Sequence, residues 1–454
     1  MNDIKLSSNS THSSTILPVN KFYFDYNATT PLAPEVIQTI NDSLKEHWGN
    51  PSSNHIEGSK AKKALEKARE EVASMISAIP SEILFLSGGT EANNLVLYSA
   101  VVHFKKWVIS QSDSSFSHMK PHIITTKVEH DSIKYPLLRR YFVEADVTYL
   151  GVENLPTSVI DNIRPSTCLI TVMLANNETG IMFSVAHIAR LLSEVNKKRE
   201  AEGLFKILLH TDAAQAIGKL PVDVTDLKVD YLTIVGHKFY GPRVGALYVK
   251  KLGSGAPLYP LLYGGGQERG YRSGTENTPM YVGLGKACAL VQENVLEYSS
   301  HMKKMRVYLE RQLKKAFANY IKINCVDPCN VSNPEECSIP PSGPKQTHFI
   351  FPRLPNTTSV SFYYPEVTGE EILKNCLHLM ASTGAACHSD CESSSVLENS
   401  GVCSFHAKRS IRLSVGRETT VPEIEAIVID IKQAISKALD PLKLPTSSST
   451  SNST

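Results

Sequence analysis

Ile207-Leu-Leu-His-Thr-Asp-Ala-Ala-Gln215 and Tyr231-Leu-Thr-Ile-Val-Gly-His-Lys-Phe-Tyr-Gly241 share one plan: an apolar run of strand length that breaks abruptly into a polar turn. The runs Ile207–His210 and Tyr231–Val235 show no polar alternation, so each reads as a strand buried on both faces. Asp212 and Lys238 then fall just beyond the C-terminal ends of such strands, which is where open α/β sheets bind ligands. Taken alone, Asp212 reads first as a helix cap. Lys238, flanked by Gly236 and Gly241, is poorly explained as a solvated charge and suits a Schiff-base nucleophile.

Working outward, further apolar strands read at Ile83–Leu86, His122–Thr126, Val147–Leu150, Cys168–Ala175 and Gly245–Val249. Between them lie helical patterns, such as Ala61, Leu65, Ala68, Val72, Met75, Ile76 and Ile79. Buried strands separated by helices predict an α/β layered fold with a mainly parallel sheet. Beyond about Met280 the pattern changes. A long helix reads from Tyr281 to Phe317, then strands near His348–Phe351 and Val360–Tyr363, and a helix from Glu370. Thr420-Val-Pro-Glu423 is a capping-box start, and Ile424, Ile427, Ile431, Ile435 and Leu439 form the buried face behind it. The expected organisation is a large domain over 35–279 and a smaller α+β domain from 21–34 and 280–440. A surface insertion is expected at 325–345, with disordered polar tails at 1–20 and 441–454.

Composition narrows the function. The chain has 454 residues, and 47 Lys+Arg against 45 Asp+Glu leave a net charge of +2. With no long basic run, a nucleic-acid partner is not expected. No stretch reaches the ~18 consecutive apolar residues a membrane helix needs. Met1–Asn20 has neither the apolar core of a secretory signal nor the arginines of a mitochondrial one, so a cytosolic location is expected. Asn27-Ala-Thr and Asn356-Thr-Thr match the glycosylation sequon and read as chance matches. Nine cysteines are too few for a disulfide scaffold, and the odd number leaves a thiol free for chemistry. Cys168, Cys288 and Cys376 lie in apolar patterns and read as packing residues. Cys325, Cys329, Cys337 and Cys391 lack paired metal-ligand spacing, so no metal site is expected. Cys387, in Ser382-Thr-Gly-Ala-Ala-Cys-His-Ser-Asp390, has small residues before it and polar ones after, as an exposed reactive thiol would.

Three strand-end turns together carry more than any one of them. Ser87-Gly-Gly-Thr90 joins a strand to a helix N-terminus, where backbone N–H groups and a hydroxyl suit a phosphate. Gly264–Gly266 is not a dinucleotide fingerprint, because Arg269 stands where the last glycine belongs. Pyridoxal 5'-phosphate (PLP) needs a lysine, an acidic partner for its ring nitrogen and donors for its phosphate. Lys238, Asp212 and Gly89-Thr90 supply that set.

The chain resembles the PLP-dependent cysteine desulfurase and selenocysteine lyase family, within the class V aminotransferase superfamily. The resemblance rests on Asp25-Tyr-Asn-Ala-Thr-Thr-Pro31, Gly49-Asn-Pro-Ser-Ser53, Ser87-Gly-Gly-Thr-Glu-Ala-Asn-Asn94, Val128-Glu-His-Asp131 and Ala175-Asn-Asn-Glu-Thr-Gly180. His210-Thr-Asp-Ala-Ala-Gln215, Gly236-His-Lys238, Arg272-Ser-Gly-Thr275 and Arg412-Leu-Ser-Val-Gly-Arg417 continue it in the family's order, so it spans roughly Tyr23 to Leu439. Gly236-His-Lys-Phe-Tyr-Gly-Pro-Arg243, Gly274-Thr-Glu-Asn-Thr-Pro279 and Ala386-Cys-His-Ser-Asp390 resemble the selenocysteine lyase branch more than the iron–sulfur desulfurases. Desulfurases commonly have Ser before Gly-His-Lys, where this chain has Val235, so one expected phosphate donor is missing.

The resemblance implies an aspartate-aminotransferase-like (fold type I) large domain and a homodimer. It implies that Lys238 holds PLP covalently, Asp212 pairs with the ring nitrogen and Gln215 bonds the ring hydroxyl. His130 would stack on the ring and move protons. Gly89, Thr90 and His237 would hold the phosphate, joined by Thr275 from a second subunit. Asn176 and Arg412 would hold the substrate carboxylate. Cys387 would take selenium from L-selenocysteine, leaving L-alanine. A thiol reductant or a selenium acceptor, such as a selenophosphate-synthesising enzyme, would then receive selenide. A desulfurase acting on L-cysteine, or an aminotransferase, would use Lys238 and Asp212 in the same way, but an aminotransferase has no use for Cys387.

Overall fold

The computed structural model describes residues 20–112, 116–139, 144–326, 352–384 and 394–439. Both tails, the bulk of the 325–345 insertion, the strand expected at 348–351, Cys329, Cys337, Cys391 and the Cys387 segment lie outside them.

A short β1 (Phe22–Tyr23) leads into α1 (Pro34–Glu46) and α2 (Ile56–Met75). Strands and helices then alternate: β2 (Ile83–Leu86), α3 (Gly89–Ser110), β3 (His122–Thr126), α4 (Asp131–Leu138), β4 (Asp146–Leu150) and α5 (Leu155–Asp161). They continue as β5 (Thr167–Thr171), α6 (Val185–Ala201), β6 (Leu208–Asp212), α7 (Val224–Leu227), β7 (Tyr231–Val235) and β8 (Gly245–Val249). The seven strands from β2 to β8 form one sheet in the order β2-β8-β7-β6-β5-β3-β4. β8 alone runs opposite to the other six strands, so its pairings with β2 and β7 are antiparallel and the rest are parallel. One face packs on a core that includes Val36, Leu65, Val72 and Leu284, and the other on Leu95, Val96 and Phe104 of α3. Burial on both faces is why β2, β3, β5, β6, β7 and β8 lack the strict apolar–polar alternation of a one-sided strand.

The 40-residue α8 (Thr278–Phe317) carries the chain to a second core. There β9 (Ile321–Ile323), β10 (Thr357–Phe362), α9 (Gly369–Asn375), β11 (Leu379–Met380), α10 (Ser395–Asn399), α11 (Ser404–Lys408), β12 (Ser410–Ser414) and α12 (Val421–Leu439) follow. The second sheet is antiparallel, in the order β12-β10-β9. β1 pairs in parallel with β11. Half of the expected capping box is present: the Thr420 N–H donates to Glu423 Oε2 at 2.7 Å, and the Thr420 hydroxyl also donates to Glu423 Oε2, at 3.0 Å. No described helix is long and apolar enough to cross a membrane.

Three readings need correction. Leu439, the last residue of α12, is 39% exposed and does not extend that helix's buried face. Ile79 does not continue the buried face of α2, which ends at Met75; it precedes a 3-10 turn and is 57% exposed. The strand expected over Cys168–Ala175 ends at Thr171. Val172 and Leu174 still donate to β6, at His210 O (3.1 Å) and Asp212 O (2.9 Å), but the Met173 N–H turns to Glu129 and Ala175 doubles back to bridge Met182.

Two histidines sit inside the large sheet. His122 on β3 bonds Thr167 and Thr148 hydroxyls at 2.7 and 2.9 Å. His210 on β6 bonds Thr171 and Thr233 hydroxyls at 2.8 and 3.0 Å. Burial is the main cause that pushes both rings down to about 4, so the folded protein holds them neutral. The unfolded chain takes up these protons first, so their contribution to stability is complete above about pH 6.5 and lost as pH falls toward 4. The urea midpoint is therefore expected to fall from pH 7 to pH 5. His210→Gln, which keeps a donor and an acceptor, should flatten that decline by on the order of 2 kcal/mol. An unchanged slope in this variant contradicts the assignment.

Candidate active site

A cavity of about 350 Å³ opens at the C-terminal ends of the parallel strands, a volume within the usual range for small-ligand sites. Gly89, Thr90, His130, Asp212, Gln215, His237, Lys238 and Arg412 all line it. These residues come from α3, α4, β6, β7, β12 and the turns after the strands, and are brought together only by the fold.

Lys238 ends a 3-10 turn directly after β7, and its Nζ donates to the Asn27 and Ala28 carbonyls at 2.8 Å each. The Asn27 carbonyl also accepts from Gln215 Nε2 at 3.0 Å, so lysine and glutamine share an acceptor. Beside Lys238, His237 bonds the Thr29 hydroxyl at 3.1 Å. Burial, then the charges of Lys238, Arg243 and Lys219, push the His237 ring down to about 4, so it stays neutral.

Asp212 is the last residue of β6. Its Oδ1 accepts from Ala214 N at 2.9 Å and its Oδ2 from Asn93 Nδ2 at 2.8 Å. Asn93, fully buried in the first turns of α3, is the joint of a longer network. Its Nδ2 also donates to Ser132 Oγ at 2.8 Å, and its Oδ1 accepts from Thr233 Oγ1 at 2.7 Å. Ser132 in turn meets His130 Nδ1 at 2.8 Å. His130 caps α4 by accepting the Ser132 N–H at Nδ1 (3.1 Å), which leaves Nε2 to carry the proton of the neutral ring. Asp212 and His130 are thus linked through Asn93 and Ser132.

The α3 N-terminus reaches the cavity because residue 89 is glycine. A Cβ there would lie 2.5 Å from Val235 Cγ2, so Val235 fills the space beneath the turn. Glu91, in the first turn of α3, accepts from Ser87 N (2.6 Å) and Arg272 Nε (3.0 Å), which offsets its charge where an anion would dock.

On the opposite wall, Arg412 Nη2 donates to Asp25 Oδ1 (2.7 Å) and Ser382 Oγ (2.8 Å), and Nη1 to Asn177 O (3.0 Å). Its Nε is buried without a hydrogen-bond partner. Glu178 accepts from Ser394 Oγ at 2.5 Å, and burial pushes its carboxyl up.

Two expected residues are placed elsewhere. Asn176 is fully buried and saturated: Oδ1 accepts from Glu178 N, Thr179 N and Thr179 Oγ1, and Nδ2 donates to Val128 O at 3.1 Å. It builds the turn, whereas its neighbour Asn177 lines the cavity. Thr275 is exposed on the segment before α8 and is not among the cavity's lining residues in this chain. Cys387 lies outside the described residues, but the flanking Gly384 and Ser394 both line the cavity. Sequence reasoning missed Asn93, Glu129 and Asn177 as wall residues and Asp25 as the partner of Arg412. All four stand inside quoted motifs, which was their available signal.

The family described as aminotransferase class V matches residues 22–332. A selenocysteine lyase of Xenopus tropicalis is 48% identical over 423 residues, covering 91% of this chain and 93% of the relative. A cysteine desulfurase of Rattus norvegicus is 38% identical over 418 residues, covering 89% and 81%. A solved structure titled NifS-like protein superposes with a TM-score of 0.74 at 31% identity, covering 92% of this chain and 100% of its own.

The two adjacent asparagines should separate by their effects. Asn176→Ala strands buried N–H groups and should cost about 2–3 kcal/mol, read as a lower urea midpoint. Asn177→Ala should leave the midpoint within about 0.5 kcal/mol. Equal losses in both variants would contradict the placement.

Proposed function

The chain belongs to the class V aminotransferase family, and we propose that it is a PLP-dependent enzyme that cleaves L-selenocysteine to L-alanine and selenide. The observation that carries this reading is the meeting of Lys238, Asp212 and Arg412 in one cavity, in a chain about half identical to selenocysteine lyases.

The donor set fits PLP. Lys238 would hold it covalently, Asp212 would face the ring nitrogen, and Gln215 the ring hydroxyl. Gly89, Thr90 and the neutral His237 would hold the phosphate. In this chain Thr275 stands outside the cavity, which fits the proposal that it serves the site of a second copy in a homodimer. When bound, PLP supplies an electron sink for the charge left at the substrate's α carbon.

The protein's own groups divide the remaining work. Arg412, already oriented by Asp25 and Ser382, holds the substrate carboxylate, and Asn177 takes the place expected of Asn176 beside it. Lys238 would be the base for the α proton, and His130 Nε2 would move protons. The Cys387 thiolate takes the selenium atom. The carbon–selenium bonding pair stays with the three-carbon residue, which is protonated and leaves as L-alanine. An external thiol reduces the sulfur–selenium bond and frees selenide, either directly or to a selenium acceptor.

The cysteine desulfurase relative makes sulfur the alternative cargo. Alanine formation from L-selenocysteine is expected to exceed that from L-cysteine by at least about tenfold in kcat/KM, a difference of 1.4 kcal/mol. A preference for L-cysteine would overturn the assignment. Cys387→Ser should keep bound PLP and lose selenide release, and full turnover in this variant would remove the covalent selenium step.

A further inference from the structure

The cavity contains a carboxyl group that the roles above leave unused. Glu129 directly precedes His130, lines the cavity and is 1% exposed. Its Oε1 accepts from Thr126 Oγ1 at 2.8 Å and from Met173 N at 2.9 Å, which ties the end of β3 to the turn after β5. Its Oε2 is buried with no hydrogen-bond partner. As a carboxylate, Glu129 would bury a full charge with one oxygen unsatisfied, a costly state. As a carboxylic acid it satisfies the same two bonds through Oε1 and turns Oε2 into a hydroxyl donor.

The surroundings favour the acid. Burial pushes the carboxyl up to about 8. The two charged groups that act on it are Asp212 on β6, which pushes it further up, and Lys134 on α4, which pulls it down. Lys134 is itself paired with Asp131 at 3.5 Å. The other titratable groups lining the cavity are His130, next in sequence, Asp131, Glu178, His237, Lys238 and Arg412, the last paired with Asp25. Glu129 therefore stands with Asp212 and His130, on the side proposed to hold the cofactor.

We propose that Glu129 is a further binding residue of this cavity, a neutral acid whose Oε2 hydroxyl donates a hydrogen bond to an acceptor oxygen of bound PLP. This rests on the reading that the cavity takes PLP. A neutral donor there adds no second negative charge beside Asp212, so Asp212 alone faces the ring nitrogen.

The test is the dissociation constant of PLP for the apo-protein, followed by absorbance between pH 6.5 and 9, for the unsubstituted protein, Glu129→Gln and Glu129→Leu. Glutamine keeps the acceptor and a neutral donor; leucine keeps neither. The unsubstituted protein should lose affinity above about pH 8 relative to Glu129→Gln, which should match it within about twofold at pH 7. Glu129→Leu should bind about tenfold more weakly at pH 7. Glu129→Gln as weak as Glu129→Leu would show that a charge is required and overturn the proposal. So would unchanged affinity in Glu129→Leu. If leucine prevents folding, judged by thermal melting of the apo-protein, the pH comparison with Glu129→Gln still decides, and parallel pH profiles overturn the proposal. No PLP binding by the unsubstituted protein would overturn the reading of the cavity itself, a result distinct from these.

Discussion

The site depends on how Asn27 satisfies its buried polar groups. Its carbonyl accepts from Lys238 and Gln215, and its side chain bonds Asn177 O, Thr357 Oγ1 and Asn356 Nδ2. Its N–H donates to Ser414 Oγ at 3.0 Å. The same short segment gives the Thr30 N–H to His237 O at 2.9 Å and the Asp25 carboxylate to Arg412. Buried polar groups need partners, and these are offered only where the large sheet and the three-stranded sheet meet. The segment therefore indexes Lys238 and Gln215 from one sheet and Arg412 from the other to a single stretch of chain. It also disposes of the glycosylation match: Asn27 is 1% exposed and its amide is committed, as is that of Asn356.

Charge is divided across the cavity in a way that leaves each group one task. Arg412 is balanced by Asp25, and Glu178 is pushed toward the neutral acid by burial. Three lysines lie at or near the site: Lys134 lines it from α4, paired with Asp131 at 3.5 Å, and the fold separates the other two. Lys219 is 3% exposed, donates to Gln215 O and Oε1 at 3.1 Å each, and is pushed down to about 7 by burial, then by Lys238 and Arg412. It supports Gln215 from behind and is not among the lining residues. Lys238 reaches the cavity itself, held by carbonyls that it can leave at the cost of ordinary hydrogen bonds.

The large sheet was legible because burial on both faces leaves an apolar run with sharp ends. His122–Thr126, Tyr231–Val235 and Gly245–Val249 have in the structure the limits expected of them. Apolar character misleads where the chain turns while still buried, as at Val172–Ala175, and at Ile79, where helical spacing continues past the helix end. The lysine and the aspartate were legible because strand ends are where such sheets bind ligands. Which of two neighbouring asparagines faces the cavity was not: Asn176 and Asn177 are chemically identical, and only backbone direction separates the one that builds the turn from the one that lines the wall. Asn93 and Glu129 were hidden for a related reason, since a polar residue within an apolar helix or after a strand shows its partners only after folding.

The central claim, that Lys238 rather than its neighbour Lys219 holds the cofactor, is tested most directly by peptide mapping. The PLP-loaded protein is reduced with borohydride, digested, and the site of the pyridoxyl group read by mass spectrometry. The account predicts the label on Lys238 alone. A label on Lys219, or on a lysine away from this cavity, would contradict it.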